Sequence, residues 1–226
     1  DAWSAMNYGP FMIATYEATE PKFVGEITSD DDRKGDVVKP NFAYKGIAVR
    51  LDSGPGGVSR GKHWSVFEHD TLRMSAAWSA TPRDGEPNFI NWQGINFDGR
   101  HGAHPQLAGS VQIANPSGPG WANPETGRFD EVRVIGRDGR RYGPLPRSWG
   151  KYRGLYQFGE QVIVSYSVGE TNVLEMPGVL PNKASPIFTR TFQIGPRPLA
   201  MTMLVASSPS EDSRVETIGI DSENNN

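Results

Sequence analysis

The stretch "LYQFGEQVIVSYSVGETNVLEMPG", residues 155–178, carries the cleanest pattern in the chain. Val162, Val164, Tyr166 and Val168 fall on alternate positions, so they share one face of an extended strand. Gly169–Glu170 then supplies a tight turn into a second strand over Asn172–Met176, an antiparallel hairpin. Downstream, "IFTRTFQIG" (187–195) sets Phe188, Arg190 and Phe192 against Thr189, Thr191 and Ile194. "LAMTMLVAS" (199–207) and "SRVETIGID" (213–221) read as further strands, and "DSENNN" as a frayed end or linker.

Upstream the same punctuation recurs. "RVIGRDGRRYG" (133–143) predicts a hairpin around Asp138–Gly139, and "GSVQIA" (109–114) a strand before the turn-rich loop "NPSGPGWANPETGRF". "FAYKGIAVRLD" (42–52), "HWSVFEHD" (63–70) and "TLRMSAAWS" (71–79) are strand-like, the last two meeting at a His69–Asp70 turn. Their apolar positions do not recur at three and four, so helix is a poor reading. With 26 glycines and 18 prolines spread along 226 residues, many short strands with tight turns fit better than long helices. No repeat of fixed period points to a propeller or solenoid. The expected fold is all-β: an antiparallel β-sandwich or distorted barrel of ten or eleven strands, with long Gly/Pro-rich loops. Residues 1–40 are expected to be an irregular segment packed on a single domain at 41–220, with 221–226 as its tail.

Composition narrows function by exclusion. A net charge of −3 and the lack of any basic run argue against a nucleic-acid partner. No apolar run approaches the roughly 20 residues of a membrane span. The absence of cysteine removes disulfides, thiolate metal sites, cysteine nucleophiles and covalent c-type haem attachment. The acidic stretch "SDDDRKGD" (29–36) reads as an exposed loop, with Asp30, Asp32 and Asp36 as oxygen donors that miss the EF-hand spacing.

Three groups of residues carry candidate chemistry. All four histidines, His63, His69, His101 and His104, lie within one third of the chain and could gather round a metal ion, with Asp70 and Asp98 as oxygen ligands. The alternative is ordinary hydrogen-bonded or surface imidazole. Glu68, Asp70, Asp98, Glu125 and Asp130 supply carboxylates for acid–base work, although no G-x-S-x-G, Walker or H-E-x-x-H motif is present. Loop aromatics form the third group: Trp92, Trp121, Trp149, Tyr142, Tyr152 and Tyr156. Beside Asp98 and Arg100, such rings would make a sugar-binding surface, with Trp92, Trp121, Trp149 and Tyr152 as its platforms. The competing reading is that the tryptophans are core.

Six segments taken together carry a resemblance: "AYKGIAVRLD" (43–52), "GGVSRGKHWSVFEHDTLRMSAAW" (56–78), "FINWQGINFDGRHGAHPQLAG" (89–109), "ANPSGPGWANPETGRF" (114–129), "DGRRYGPLPRSWGKYRGLYQFGEQVIVSYSVGETNVLEMPG" (138–178) and "FTRTFQIGP" (188–196). In this order they resemble a domain of large secreted haem-binding proteins of planctomycete type, over about Tyr8 to Ala206. The resemblance implies a periplasmic or extracellular setting. It implies haem only through a partner domain or chain, a c-type cytochrome, and no catalytic residue comes with it. The leading expectation is therefore a non-catalytic accessory domain that binds a carbohydrate or a protein partner. Two alternatives stand beside it: a structural element of an electron-transfer assembly packed against c-type cytochromes, and a metal- or carboxylate-dependent hydrolase or lyase acting on glycans.

Overall fold

A computed structural model of the chain describes residues 9–17, 41–54, 61–83, 86–88, 90–91, 106–107, 109–137, 139–182 and 185–206. The fold is all-β, as expected, and is built as a sandwich of two main sheets. The larger sheet contains β1 (Phe11–Glu17), β2 (Phe42–Arg50), β3 (His63–Glu68), β4 (Arg73–Arg83), β5 (Glu86–Asn88), β6 (Ile90–Asn91), β7 (Gln106–Leu107) and β8 (Gly109–Ala114). β9 (Val134–Ile135) and β10 (Arg141–Tyr142) form a separate hairpin. The smaller sheet is a meander of β11 (Gly150–Phe158), β12 (Gln161–Val168), β13 (Thr171–Leu180) and β14 (Ile187–Ile194).

The larger sheet returns on itself. β1 to β4 pair in antiparallel sequence, and β8 pairs antiparallel with β4. Four reversals leave β8 running in the direction of β1. The contact that bridges back, Glu17 with Gln106 of β7, is accordingly parallel. The sheet curls without closing into a barrel.

Bulk decides what fills this curl. Tyr16, Trp64, Val66, Trp78 and Leu107 meet on its inner side, where Ala43, Ala48 and Ala76 leave them room. The Trp64 and Trp78 rings stack 6.4 Å apart. Gly46 is required there, because a Cβ would lie 2.9 Å from both Tyr16 Cδ2 and Val66 Cγ2. A bulge keeps both ends of β2 facing inward. One residue of β1, between Ala14 and Tyr16, stands opposite Tyr44 and Lys45, and Lys45 takes the left-handed conformation with φ of 50°. The outer side of β2 and β3 faces the smaller sheet. Ile47, Val49 and Phe67 pack there on Val162, Val164, Tyr166 and Val168, with Phe67 stacked on Tyr166 at 5.5 Å. Covered on both faces, β3 is buried from Trp64 to Glu68.

Three expectations change. β1 lies inside the stretch read as irregular, since Met12 and Tyr16 alternate toward the core. Residues 199–206 form no strand; Met203 makes a single bridge with Trp121. Fourteen strands occur among the described residues, several of them only two or three residues long. The segments at 29–36 and 213–221 lie outside the described residues.

Candidate functional site

The β3–β4 hairpin, "EHDTLR" at 68–73, collects most of the buried charge of the molecule's larger sheet. Arg73 donates from Nε to Glu68 Oε2 at 2.6 Å, from Nη1 to the Asn115 and Pro116 carbonyls, and from Nη2 to Asn41 Oδ1 and the Phe42 carbonyl. All five guanidinium protons are thereby engaged. Glu68 also accepts from Thr71 Oγ1 at 2.7 Å and from the Tyr44 amide at 3.2 Å, and Arg133 Nη1 stands 3.9 Å away. Arg133 in turn binds Glu131 through Nε and Nη2. Burial pushes the Glu131 carboxyl up, but its hydrogen bonds to Arg133 outweigh this and hold it below the usual range. Leu72 closes the turn with φ of 54°, a strained conformation for a branched side chain. Such a network orders loops 115–121 and 145–150 over the hairpin: the Gly120 amide donates to the Thr71 carbonyl and the Leu145 amide to that of Asp70.

At the edge of this hub sits the exposed part of the site. His69 Nδ1 lies 3.2 Å from Asp70 Oδ1, which also meets Lys45 Nζ at 3.3 Å, and the His69 ring packs on Tyr152 at 4.8 Å. Burial lowers the His69 pKa and outweighs the opposing pull of Asp70. The imidazole is a neutral, oriented base with 21% of its side chain exposed. His63 stands at the other end of β3, more than about 15 Å away at the rise of an extended strand. Its Nδ1 contacts Ser79 Oγ at 3.0 Å. These two histidines are not brought together, and no group of three or more His, Asp or Glu among the described residues is placed to hold a metal ion. His101, His104, Asp98, Arg100 and Trp92 lie outside the described residues.

Trp121 and Trp149, expected as ring platforms, are core residues at 3% and 2% exposure. Their indole protons are spent internally. Trp149 Nε1 donates to the Trp121 carbonyl at 3.0 Å and Trp121 Nε1 to Tyr166 Oη at 3.2 Å. Tyr166 donates onward to Glu175 Oε2 at 2.8 Å, and Arg190 Nε donates to Glu175 Oε1 at 2.6 Å. Burial and the facing Glu175 carboxylate push the Tyr166 phenol far up, so it stays a donor. Of the expected platforms, Tyr152 alone among the described residues keeps partial exposure, and it leans on His69. Glu125 and Asp130 are exposed on the long loop, Asp130 paired with Arg128 at 2.9 Å.

The smaller sheet presents a different surface. With Val162, Val164 and Tyr166 turned to the core, the register puts Tyr156 opposite Ile163 and Met176 opposite Thr191 on its outer face. Further along, Phe158 pairs with Gln161 and Gly178 with Thr189, past the point where the β12–β13 pairing ends at Val164 and Glu175. Phe158 is 82% exposed and Tyr156 61%. β12, β13 and β14 contain two charged residues, Glu175 and Arg190, and both are turned inward as the pair just described. Sequence reading placed Tyr156 among the loop aromatics and passed over Phe158, Ile163 and Met176. The signal lay in the alternation itself: once the valines of 162–168 point inward, Gln161, Ile163 and Ser165 must point out.

Comparison with known proteins adds one similarity. Residues 65–175, just under half of the chain, match the model of a family described as a domain of unknown function (DUF6797). The matched segment runs from β3 to Glu175 in β13 and takes in the 68–73 hairpin, the buried Trp78, Trp121 and Trp149, and the whole of β11 and β12. No curated protein and no solved structure matches the chain.

Proposed function

We propose that this chain is a non-catalytic accessory domain that binds polysaccharide on the outer face of its smaller sheet. The observation that carries the proposal is the inverted charge pattern. A sandwich ordinarily points apolar residues inward and charge outward. Here β12–β14 bury their two charges and leave an outer surface free of charge, beside the two exposed rings of β11, with Lys151 at the far end of that strand. Sugar C–H faces stack on such rings, while amide and hydroxyl groups such as Gln161 and Thr191 meet sugar hydroxyls.

The resemblance to secreted haem-associated proteins supports a periplasmic or extracellular setting and a cytochrome as a neighbour. A face with so few charges is a poor dock for a charge-steered redox partner, which favours substrate anchoring over electron-transfer contact. Affinity electrophoresis and calorimetry against polysaccharides of both neutral and acidic type test the proposal. The native chain should bind at least one, and Tyr156→Ser/Phe158→Ser should abolish that binding with little change in melting temperature. Equal binding by the double variant, or none by the native chain, would refute it.

A further inference from the structure

We infer that the polymer held on this face is a neutral one lying across the four strands; this rests on the proposal above and specifies its ligand. Charge argues for the class. The charged residue that the register places on the outer face is Lys151, at the end remote from Phe158, with Arg153 in the adjacent bulge between Tyr152 and Gly154. A polymer bearing a carboxylate or sulfate on every unit would bring a row of anions over Ile163, Met176 and Gly178. No cation faces them among the register positions of β12–β14. Desolvating anions without partners is costly, whereas hydroxyls meet Gln161, Thr189, Thr191 and Gln193.

Relief argues for the direction. Two outward pairs flank the last β12–β13 pair, Val164 with Glu175: Tyr156 with Ile163 on one side, and Met176 with Thr191 on the other. The neighbouring pair of Gly178 with Thr189 is low, with the Thr189 hydroxyl 2.7 Å from the place of an added Cβ. Phe158, opposite Gln161, stands at the β11 side. Three strand spacings of about 4.8 Å make a track that accepts roughly three pyranose rings end to end.

The test sets neutral polysaccharides (glucan, mannan and xylan) against acidic ones (alginate, polygalacturonate and a sulfated galactan), each at about 0.05 M and about 0.5 M salt. A neutral polymer should bind with affinity that changes less than about twofold with salt. Gln161→Glu and Gly178→Leu should each weaken it about tenfold or more, while Lys151→Gln leaves it unchanged. Preference for an acidic polymer with salt-sensitive affinity would overturn the inference and leave the binding function standing. Binding of neither class would refute the function itself, and neutral binding that survives both face variants would place the ligand elsewhere.

Discussion

The two sheets of this molecule use the same strands-and-turns vocabulary to opposite ends. In the larger sheet, β2 and β3 are covered on both faces: one by the smaller sheet, the other by the sheet's own curl around Trp64, Trp78 and Tyr16. Most of its buried charges, Glu68, Asp70 and Arg73, gather at one hairpin, while Arg50 lies buried beside Asp52 at the far end of β2. The smaller sheet covers one face, pairs the two charges of β12–β14 there, and leaves the other with charged side chains only along β11, at Lys151 and Arg153. Coverage of both faces serves stability. An uncovered face without the usual charged residues is explained by contact with something else.

Substitutions should separate the two roles, and the largest effects belong to the curl. Trp64→Ala removes a fully buried indole and should cost about 3–5 kcal/mol, read by denaturant unfolding. Arg73→Met strands the Glu68 carboxylate in the interior and should cost about as much, roughly 3–5 kcal/mol. A loss below about 1 kcal/mol in either variant would mean that the curl is not the stabilising core.

Next comes the pair that lets β12–β14 keep a neutral outer face. Glu175→Gln keeps the shape but removes the charge facing Arg190 and Tyr166, and should cost about 1–3 kcal/mol. If the variant were as stable as the native chain, the inward charges would be incidental to the sheet.

A smaller effect attaches to His69. Burial holds its folded pKa below the ordinary value, so the unfolded chain binds the proton more readily. Its contribution is complete above about pH 6.5 and is lost progressively as the pH falls below that value. His69→Gln should flatten the fall in stability between about pH 7.5 and pH 5.5. An identical pH slope in the variant would remove His69 from the account.

The smallest stability effect should come from the outer face. Tyr156→Ser ought to alter stability by no more than about 0.5 kcal/mol, since the ring is mostly exposed. A loss of several kcal/mol would make Tyr156 part of the core and erase the contrast between the sheets.

How much of this was legible beforehand follows from what alternation can encode. The β12–β13 hairpin, the β3–β4 turn at His69–Asp70 and the Asp138–Gly139 hairpin were readable, because two-residue periodicity and turn residues are local signals. β1 was missed although Gly9–Pro10 marks its start, because its seven residues lie in a stretch dominated by the acidic run at 29–36. Which tryptophans are buried was not legible, since loop and core tryptophans share the same Gly/Pro-rich surroundings. Only the fold carries Trp121 under Tyr166 and Trp149 against the Trp121 carbonyl. The outer face was half legible. That β12–β14 contain only two charged residues is a property of the sequence, but its meaning depends on knowing that Glu175 and Arg190 point inward.

The most direct test of the central claim is residue-resolved mapping of amide shifts while a soluble neutral oligosaccharide is titrated in. The account predicts perturbations confined to outward positions of β11–β14, centred on Tyr156, Phe158, Ile163 and Met176. Shifts centred instead on His69, Lys45 and Tyr152, or spread over the loop at 115–129, would contradict it.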